Sequence, residues 1–203
     1  MINPRGKELN MKRRGVVAGL ACLCLFVFTA VCAAGDKKIA GVTFPGEKVV
    51  AGKTLTLNGV ALKKKFGFVK VYAGGFYMEN PSSNPDTMIN SEQAKQFVLH
   101  YLTSKATKEK LQDGFIDAIE DANPSVLVKA QQANIKKYAS WLDADMAPGK
   151  IQVTTYVPGK GLTVVYQGVE KGTITDKDFI KMYFTYNFGE DADSKLRKGY
   201  SGR

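Results

Sequence analysis

The chain predicts an α+β fold in which an antiparallel sheet packs against a layer of helices. Three observations carry that reading. Strand-like segments fill the first half, from Thr54 to Leu102. Two helical segments follow between Thr107 and Leu142, with apolar residues three and four positions apart. A hairpin beginning at Ile151 and a last helix ending at Gly189 then close the chain. Strands, helices, a hairpin and a helix in that order lack the strand–helix alternation of a parallel sheet.

The first 34 residues stand apart from this pattern. Met11-Lys12-Arg13-Arg14 is a compact basic start, Gly15 to Val31 is an apolar run, and Cys32-Ala33-Ala34 is a small-residue exit. That is the layout of a secretory signal peptide. Cleavage after Ala34 predicts a single mature domain, residues 35–203, in the periplasm and without a membrane span. An uncleaved anchor is the competing reading, because the run is near the lower length limit for crossing a bilayer. All three cysteines, Cys22, Cys24 and Cys32, lie in the leader. The mature domain therefore has no disulfide and no thiolate metal site, and its stability must come from packing. The leader also holds five basic residues and one acidic one, so removing it lowers the net charge from +10 to +6. Apart from Lys63 to Lys65 the remaining cations are interspersed with acids. A nucleic-acid binder would carry a longer basic stripe.

Within the domain, Thr54 to Leu57 alternates polar and apolar, and Asn58-Gly59 is a turn signal. The segment KKKFGFVKVYAGGFYME, residues 63–79, reads as one strand. With a period of two, Phe66, Phe68, Lys70 and Tyr72 share a face, and Val69, Val71 and Ala73 share the other. Gly74-Gly75 permits a bulge or the close approach of another backbone. Asn80 to Pro85 is a loop, followed by a short helix within Asp86 to Lys95. Gln96 to Leu102 is a buried strand.

The first long helix starts after Thr107 with Leu111, Phe115, Ile116 and Ile119 as its apolar face, and Asn123-Pro124 ends it. The second spans about Ser125 to Leu142. Gln131 and Asn134 interrupt its face and predict a less buried middle. In Ile151 to Val157 the residues Ile151, Val153, Thr155 and Val157 share a mostly apolar face. Pro158 to Gly161 is a hairpin turn, Leu162 to Tyr166 the return strand, and Gln167-Gly168 another turn. The last helix is capped by Thr175, with Asp178 as its capping-box partner. It presents Phe179, Met182, Tyr183 and Tyr186 and stops at Gly189.

Several chemistries have no residues to support them. His100 is the one histidine, lies mid-strand and has no second imidazole to share a metal. There is no nucleophile elbow and no phosphate-cradling loop. No metal and no cofactor are predicted. The face of Phe66, Phe68, Lys70 and Tyr72 is the richest feature left. It mixes aromatics with an ammonium and a phenol, which suits an apolar cleft with a few polar anchors.

Leu57-Asn58-Gly59 followed by KKKFGFVKVYAGGFYMENPSS resembles the chalcone isomerase-like family, especially its exported bacterial branch. The similarity extends through Phe97 to Tyr101, the helix from Thr107, the hairpin Val157 to Gly161 and the ending Asn187-Phe188-Gly189-Glu190 with Leu196 to Gly199. The resemblance implies an open-faced β-sandwich with a ligand cleft between sheet and helices. It also implies where to look for a site. The family's catalytic arginine falls in the region of Lys63 to Lys65 and its strand threonine at Tyr72. The tyrosine falls near Lys110, the asparagine near Asp117 and the last contact near Tyr186. Lysine lacks the planar fork of arginine, and the other positions are also rewritten. The resemblance therefore points to the non-catalytic, fatty-acid-binding branches more than to chalcone cyclisation.

The leading expectation is thus a hydrophobic small-molecule partner, of fatty-acid type, held by Phe66, Phe68, Lys70, Tyr72, Lys110, Asp117 and Tyr186. Two alternatives remain open. One is an intramolecular lyase or isomerase on a phenolic substrate using Lys63 and Tyr72. The other is an envelope interaction module with a filled cleft and no ligand.

Overall fold

The structure is a computed structural model that describes residues 35–203; the leader read over residues 1–34 lies outside them. The first elements are the strands β1 (Lys37–Ile39), β2 (Val42–Phe44), β3 (Glu47–Val50), β4 (Lys53–Lys65) and β5 (Val69–Met78). Helix α1 (Pro85–Asn90) leads into β6 (Lys95–Tyr101), and α2 (Lys108–Asp121) and α3 (Ser125–Ser140) follow. Strands β7 (Ile151–Val157), β8 (Gly161–Tyr166) and β9 (Val169–Ile174) precede α4 (Lys177–Phe188) and α5 (Ser194–Tyr200). Strands β3 to β9 form one seven-stranded sheet in chain order. Every neighbouring pair in it is antiparallel. This is the predicted α+β architecture.

The main core lies between the sheet and the helices and is rich in aromatics such as Phe76, Phe97, Tyr138, Phe179, Phe184 and Phe188. A smaller core on the opposite face gathers Phe44, Leu55, Leu57, Ala73, Tyr77 and Val98. The β1–β2 hairpin contributes to it through Phe44, whose ring packs where a Cβ on Gly75 would stand, 2.5 Å away. Gly74 makes room on the other side, for the Tyr200 hydroxyl. The close approach expected at this glycine pair is therefore made by side chains, not by another backbone.

Several local expectations are corrected. The segment from Lys63 to Glu79 is a hairpin, not one strand. Lys65 pairs with Val69, and Phe66 and Gly67 turn the chain with φ of 54° and 77°. Gly67 takes that region at little cost, which lets the turn close. Val71 is then an extra residue, because Lys63 faces Tyr72 while Lys64 faces Lys70. That bulge breaks the period-two pattern assumed for this stretch.

Asn58-Gly59 is likewise not a turn. It sits inside β4 as a register shift between Leu57 and Gly59. The extra residue keeps Leu55 and Leu57 on the same core face as Val60 and Leu62. The Asn58 side chain donates to the Ser82 and Tyr200 carbonyls at 2.9 and 2.7 Å, and it accepts from the Ser82 N–H at 2.7 Å.

In β7 the buried, helix-facing residues are Gln152, Thr154 and Tyr156, while Ile151 and Val153 serve the smaller core. Gln131 is buried in the middle of α3 and accepts from Asn134 Nδ2 at 2.8 Å, so a satisfied amide stands where weaker burial was expected. Helix α4 is capped by Asp176, whose carboxylate accepts from the Phe179 N–H at 2.9 Å, one position after Thr175. Strands β1, β2, β3 and β9 and helix α5 had no separate signal in the sequence.

Candidate functional site

Helix α2 faces the sheet with Leu111, Gly114, Phe115 and Ala118, a three- and four-residue repeat that defines one side of a helix. Two of those four are too small to fill the space below them. The result is a cavity of about 900 Å³ between β4–β7 on one side and α2, α3, α4 and α5 on the other. The cleft is thus open, unlike the filled one that the interaction-module reading expects.

The sheet register builds the floor. Tyr72 pairs with Tyr101 and Gly74 with Leu99, and Leu99 pairs with Gln152. Tyr101 Oη donates to Gln152 Oε1 at 3.1 Å, and Gln152 Nε2 donates to Tyr138 Oη at 3.3 Å. Tyr138 Oη also lies 3.0 Å from Thr154 Oγ1. The ring of Tyr138 stacks on Phe115 at 4.3 Å between centroids. Buried polar atoms are thereby paired with one another, as a low-dielectric site requires.

Tyr200 is the exception. Its hydroxyl is buried and has no hydrogen-bond partner in satisfactory geometry among the described residues. The Tyr72 phenol is close enough to weigh on its acidity without satisfying it. Tyr200 borders the cavity.

Burial raises the pKa of these phenols. Desolvation pushes Tyr72 well above its ordinary value, with the neighbouring phenols Tyr200, Tyr186, Tyr101 and Tyr183 adding to the effect. Desolvation likewise takes Tyr186 up to about 12, with Tyr138 and Asp193 contributing. Each phenol is therefore a neutral hydrogen-bond donor near pH 7, not a phenolate base.

Cations gather at the rim. Lys63, Lys64 and Lys65 come from the end of β4, and Lys105 and Lys110 from the start of α2 and the loop before it. Phe66 and Phe68 stand among them, each 78% exposed. Lys63 is engaged by Asp193 at 2.8 Å. Partial burial pulls the Asp193 carboxyl upward, but Lys63 and the N–H groups of Leu196 and Lys195 outweigh it and hold it below the ordinary carboxylate value. Asp193 is also the N-cap of α5, so this ion pair ties β4 to the last helix and leaves little of the Lys63 charge for an oxyanion. Lys65, Lys105 and Lys110 form no ion pair among the described residues.

Of the residues singled out from the sequence, Lys63, Phe66, Phe68, Tyr72, Lys110 and Tyr186 border the cavity. Lys70 does not, because the Val71 bulge turns it to solvent and brings Val69 and Val71 to the cavity side. Asp117 does not either; it is exposed on the outer side of α2. Tyr101, Tyr138, Gln152 and Tyr200 border the cavity and were not anticipated. Tyr183 carried a usable signal, the inward stripe of α4. His100 lies on the other side of the sheet, edge-on to Phe44 at 5.4 Å. Among the described residues no group of three or more His, Cys, Asp or Glu could hold a metal ion, and no helix is long and apolar enough to cross a membrane.

Comparison with known proteins places this geometry. The crystal structure of a fatty-acid binding protein of Arabidopsis thaliana aligns with 82% of this chain and 95% of its own, at a TM-score of 0.65 and 17% identity. At that identity the likeness is one of fold. The profile of the chalcone isomerase-like family matches residues 36–201. That match takes in the whole sheet and every helix bordering the cavity, and the chain belongs to the chalcone isomerase-like family.

Proposed function

We propose that this protein is an exported, periplasmic, non-catalytic binder of a fatty-acid-like molecule, held in the sheet–helix cavity with its acid head at the lysine rim. The observation that carries the reading is the cavity itself. Its volume of about 900 Å³ falls within the roughly 300–1,000 Å³ typical of small-molecule sites. Its walls are aromatic and aliphatic, and its cations lie at the opening. The name of the Arabidopsis structure, a fatty-acid binding protein, supports the same ligand class.

The direction of the ligand follows from charge. A carboxylate pushed to the floor would meet neutral phenols and no cation, a costly burial. At the rim, Lys65, Lys105 and Lys110 offer charge-assisted hydrogen bonds. The Lys63–Asp193 pair, which engages the lysine that the catalytic reading would use, and the distance of His100 from the cavity support the non-catalytic half of the reading.

Calorimetric titration of the mature domain with a long-chain saturated fatty acid tests this. Binding is expected, and Ala118→Trp, which places an indole in the cavity, should weaken it by about tenfold or more while the fold stays intact. An intact domain that takes up no fatty acid would overturn the proposal. Chalcone absorbance should decay at the buffer rate. A faster decay that falls in Tyr72→Phe would overturn the non-catalytic part alone.

A further inference from the structure

The tip of the β4–β5 hairpin is unlike the rest of the surface. Phe66 and Phe68 are each 78% exposed, whereas the other seven phenylalanines among the described residues are buried. They are presented by a turn rather than left over at the edge of a core. Phe66 and Gly67 both have positive φ, 54° and 77°, and the two rings flank Gly67. Lys63, Lys64 and Lys65 lie on one stem and Lys70 on the other. Lys65 Nζ stands 5.9 Å from the Phe66 ring centroid. Lys105 and Lys110 line the same cavity that Phe66 and Phe68 border.

Charge decides what such a tip would meet. Lys64, Lys65 and Lys70 form no ion pair among the described residues. The acids of the rim, Asp121, Asp191 and Asp193, lie toward α2 and α5, and Asp193 holds Lys63. The hairpin is thus aromatic at its end and cationic along its stems. Aromatic rings at the headgroup–acyl boundary with lysines on the phosphates are the arrangement an anionic bilayer surface selects. Two rings on a narrow turn offer too little apolar area for a stable protein interface.

We propose that the β4–β5 hairpin is a membrane-docking element that engages an anionic phospholipid surface. Phe66 and Phe68 insert at the headgroup boundary, and Lys64, Lys65 and Lys70 contact lipid phosphates. Because the two rings border the cavity opening, docking sets that opening against the bilayer. An apolar molecule then passes between membrane and cavity without crossing water. This last step rests on the ligand-binding reading above; the docking itself does not.

Vesicle co-sedimentation tests it. Every element of the fold lies within residues 37–200, so the mature domain is used after its cooperative unfolding has been checked, which removes any contribution of the leader. Binding is expected to vesicles that mix phosphatidylglycerol with phosphatidylcholine and not to phosphatidylcholine alone, and it should weaken as salt shortens the screening length. The double variant Phe66→Ser, Phe68→Ser should reduce partitioning by about tenfold or more. Lys64→Gln with Lys65→Gln should flatten the salt dependence. Both pairs are exposed, so the variants should keep the fold. Equal binding of wild type and the phenylalanine variant, or no binding to anionic vesicles, would overturn the proposal. So would self-association of the soluble domain that the phenylalanine variant abolishes, since it would assign the tip to a second copy. Vesicle binding without fatty-acid uptake would sink the ligand reading and leave the docking element standing. Uptake without vesicle binding would do the reverse.

Discussion

Raising the pH above about 10 should unfold the domain over a narrow range, while near pH 8 it should be stable and gain slightly. All nine tyrosines have a pKa raised by burial. Tyr77, Tyr166 and Tyr186 move to about 12. Tyr72, Tyr101 and Tyr183 move well above the ordinary value of 10.0. The sign follows from which state binds more protons. Below pH 10 a phenol is protonated in both states and the shift has no effect. Above it the unfolded chain ionises first and gains free energy that the folded chain cannot.

At one unit above the unfolded value, each phenol that stays protonated in the fold loses about 1.4 kcal/mol of stability. Over the most buried phenols, Tyr72, Tyr101, Tyr183, Tyr186 and Tyr200, the loss reaches several kcal/mol, comparable with the stability of an ordinary domain. Lys95 acts in the opposite sense and earlier. Its ammonium is buried against the Phe184 ring at 4.3 Å and donates to the Met88 and Ile89 carbonyls at 3.0 and 3.2 Å. Desolvation lowers it to about 8 although Glu92 pulls it upward. From there to 10.5 the unfolded chain holds the extra proton, so stability rises by a smaller amount. Circular dichroism and phenolate absorbance followed together should show the two changes coincide. Phenols that ionise smoothly near pH 10 in a folded domain would contradict this picture.

The tyrosine cluster also shows where sequence reasoning reached and where it stopped. Helical periodicity places Tyr183 and Tyr186 on the inward side of α4, because a 3.6-residue repeat needs no tertiary information. Tyr101 and Gln152 are 51 positions apart, and they meet because β6 and β7 pair across two intervening helices. No local pattern carries that register. Strand alternation misled wherever the chain inserts one residue. At Val71 a bulge exchanges Lys70 for its neighbours, and at Asn58-Gly59 what reads as a turn is a bulge in a continuous strand. Gln131 reads as a less buried point on its helix and Gln152 falls off the face read as apolar, because the hydrogen bonds that satisfy them, with Asn134, Tyr101 and Tyr138, form only in the fold. The α+β class, the last long helix and the neighbourhood of the cavity were legible because each rests on local periodicity or on a run of residues in order. Helix α5, seven residues long, is too short to show a period, yet it contributes Leu196 and Tyr200 to the cavity wall.

That short helix makes Gly59→Ala the most damaging small substitution expected in the domain. A Cβ on Gly59 would run into the Gly199 carbonyl and would stand 2.7 Å from the Tyr200 carbonyl and 2.8 Å from the Gly202 nitrogen. All three are backbone atoms, so no side chain can rotate away. The contact is reciprocal, because a Cβ on Gly199 would stand 2.6 Å from the Val60 carbonyl. Glycine on both sides lets β4 and α5 approach backbone to backbone, and Asn58 secures the junction through the Tyr200 carbonyl. A methyl group must therefore push α5 off the sheet. The Lys63–Asp193 pair and the packing of Tyr200 on Phe97 at 5.1 Å would be strained with it. A loss of about 3 kcal/mol is expected, which lowers the melting temperature by roughly 6–12 °C in a domain of this size. Fatty-acid affinity should fall as well, since Leu196 and Tyr200 move. Limited proteolysis should cut first at Lys195, Arg197 or Lys198. Gly114→Ala is the matched control. Its added Cβ meets no atom within 4 Å and lies inside α2, so it should raise stability by about 0.5–1 kcal/mol. A Gly59→Ala domain as stable as Gly114→Ala, with α5 still protected from protease, would show that the two backbones can part without loss.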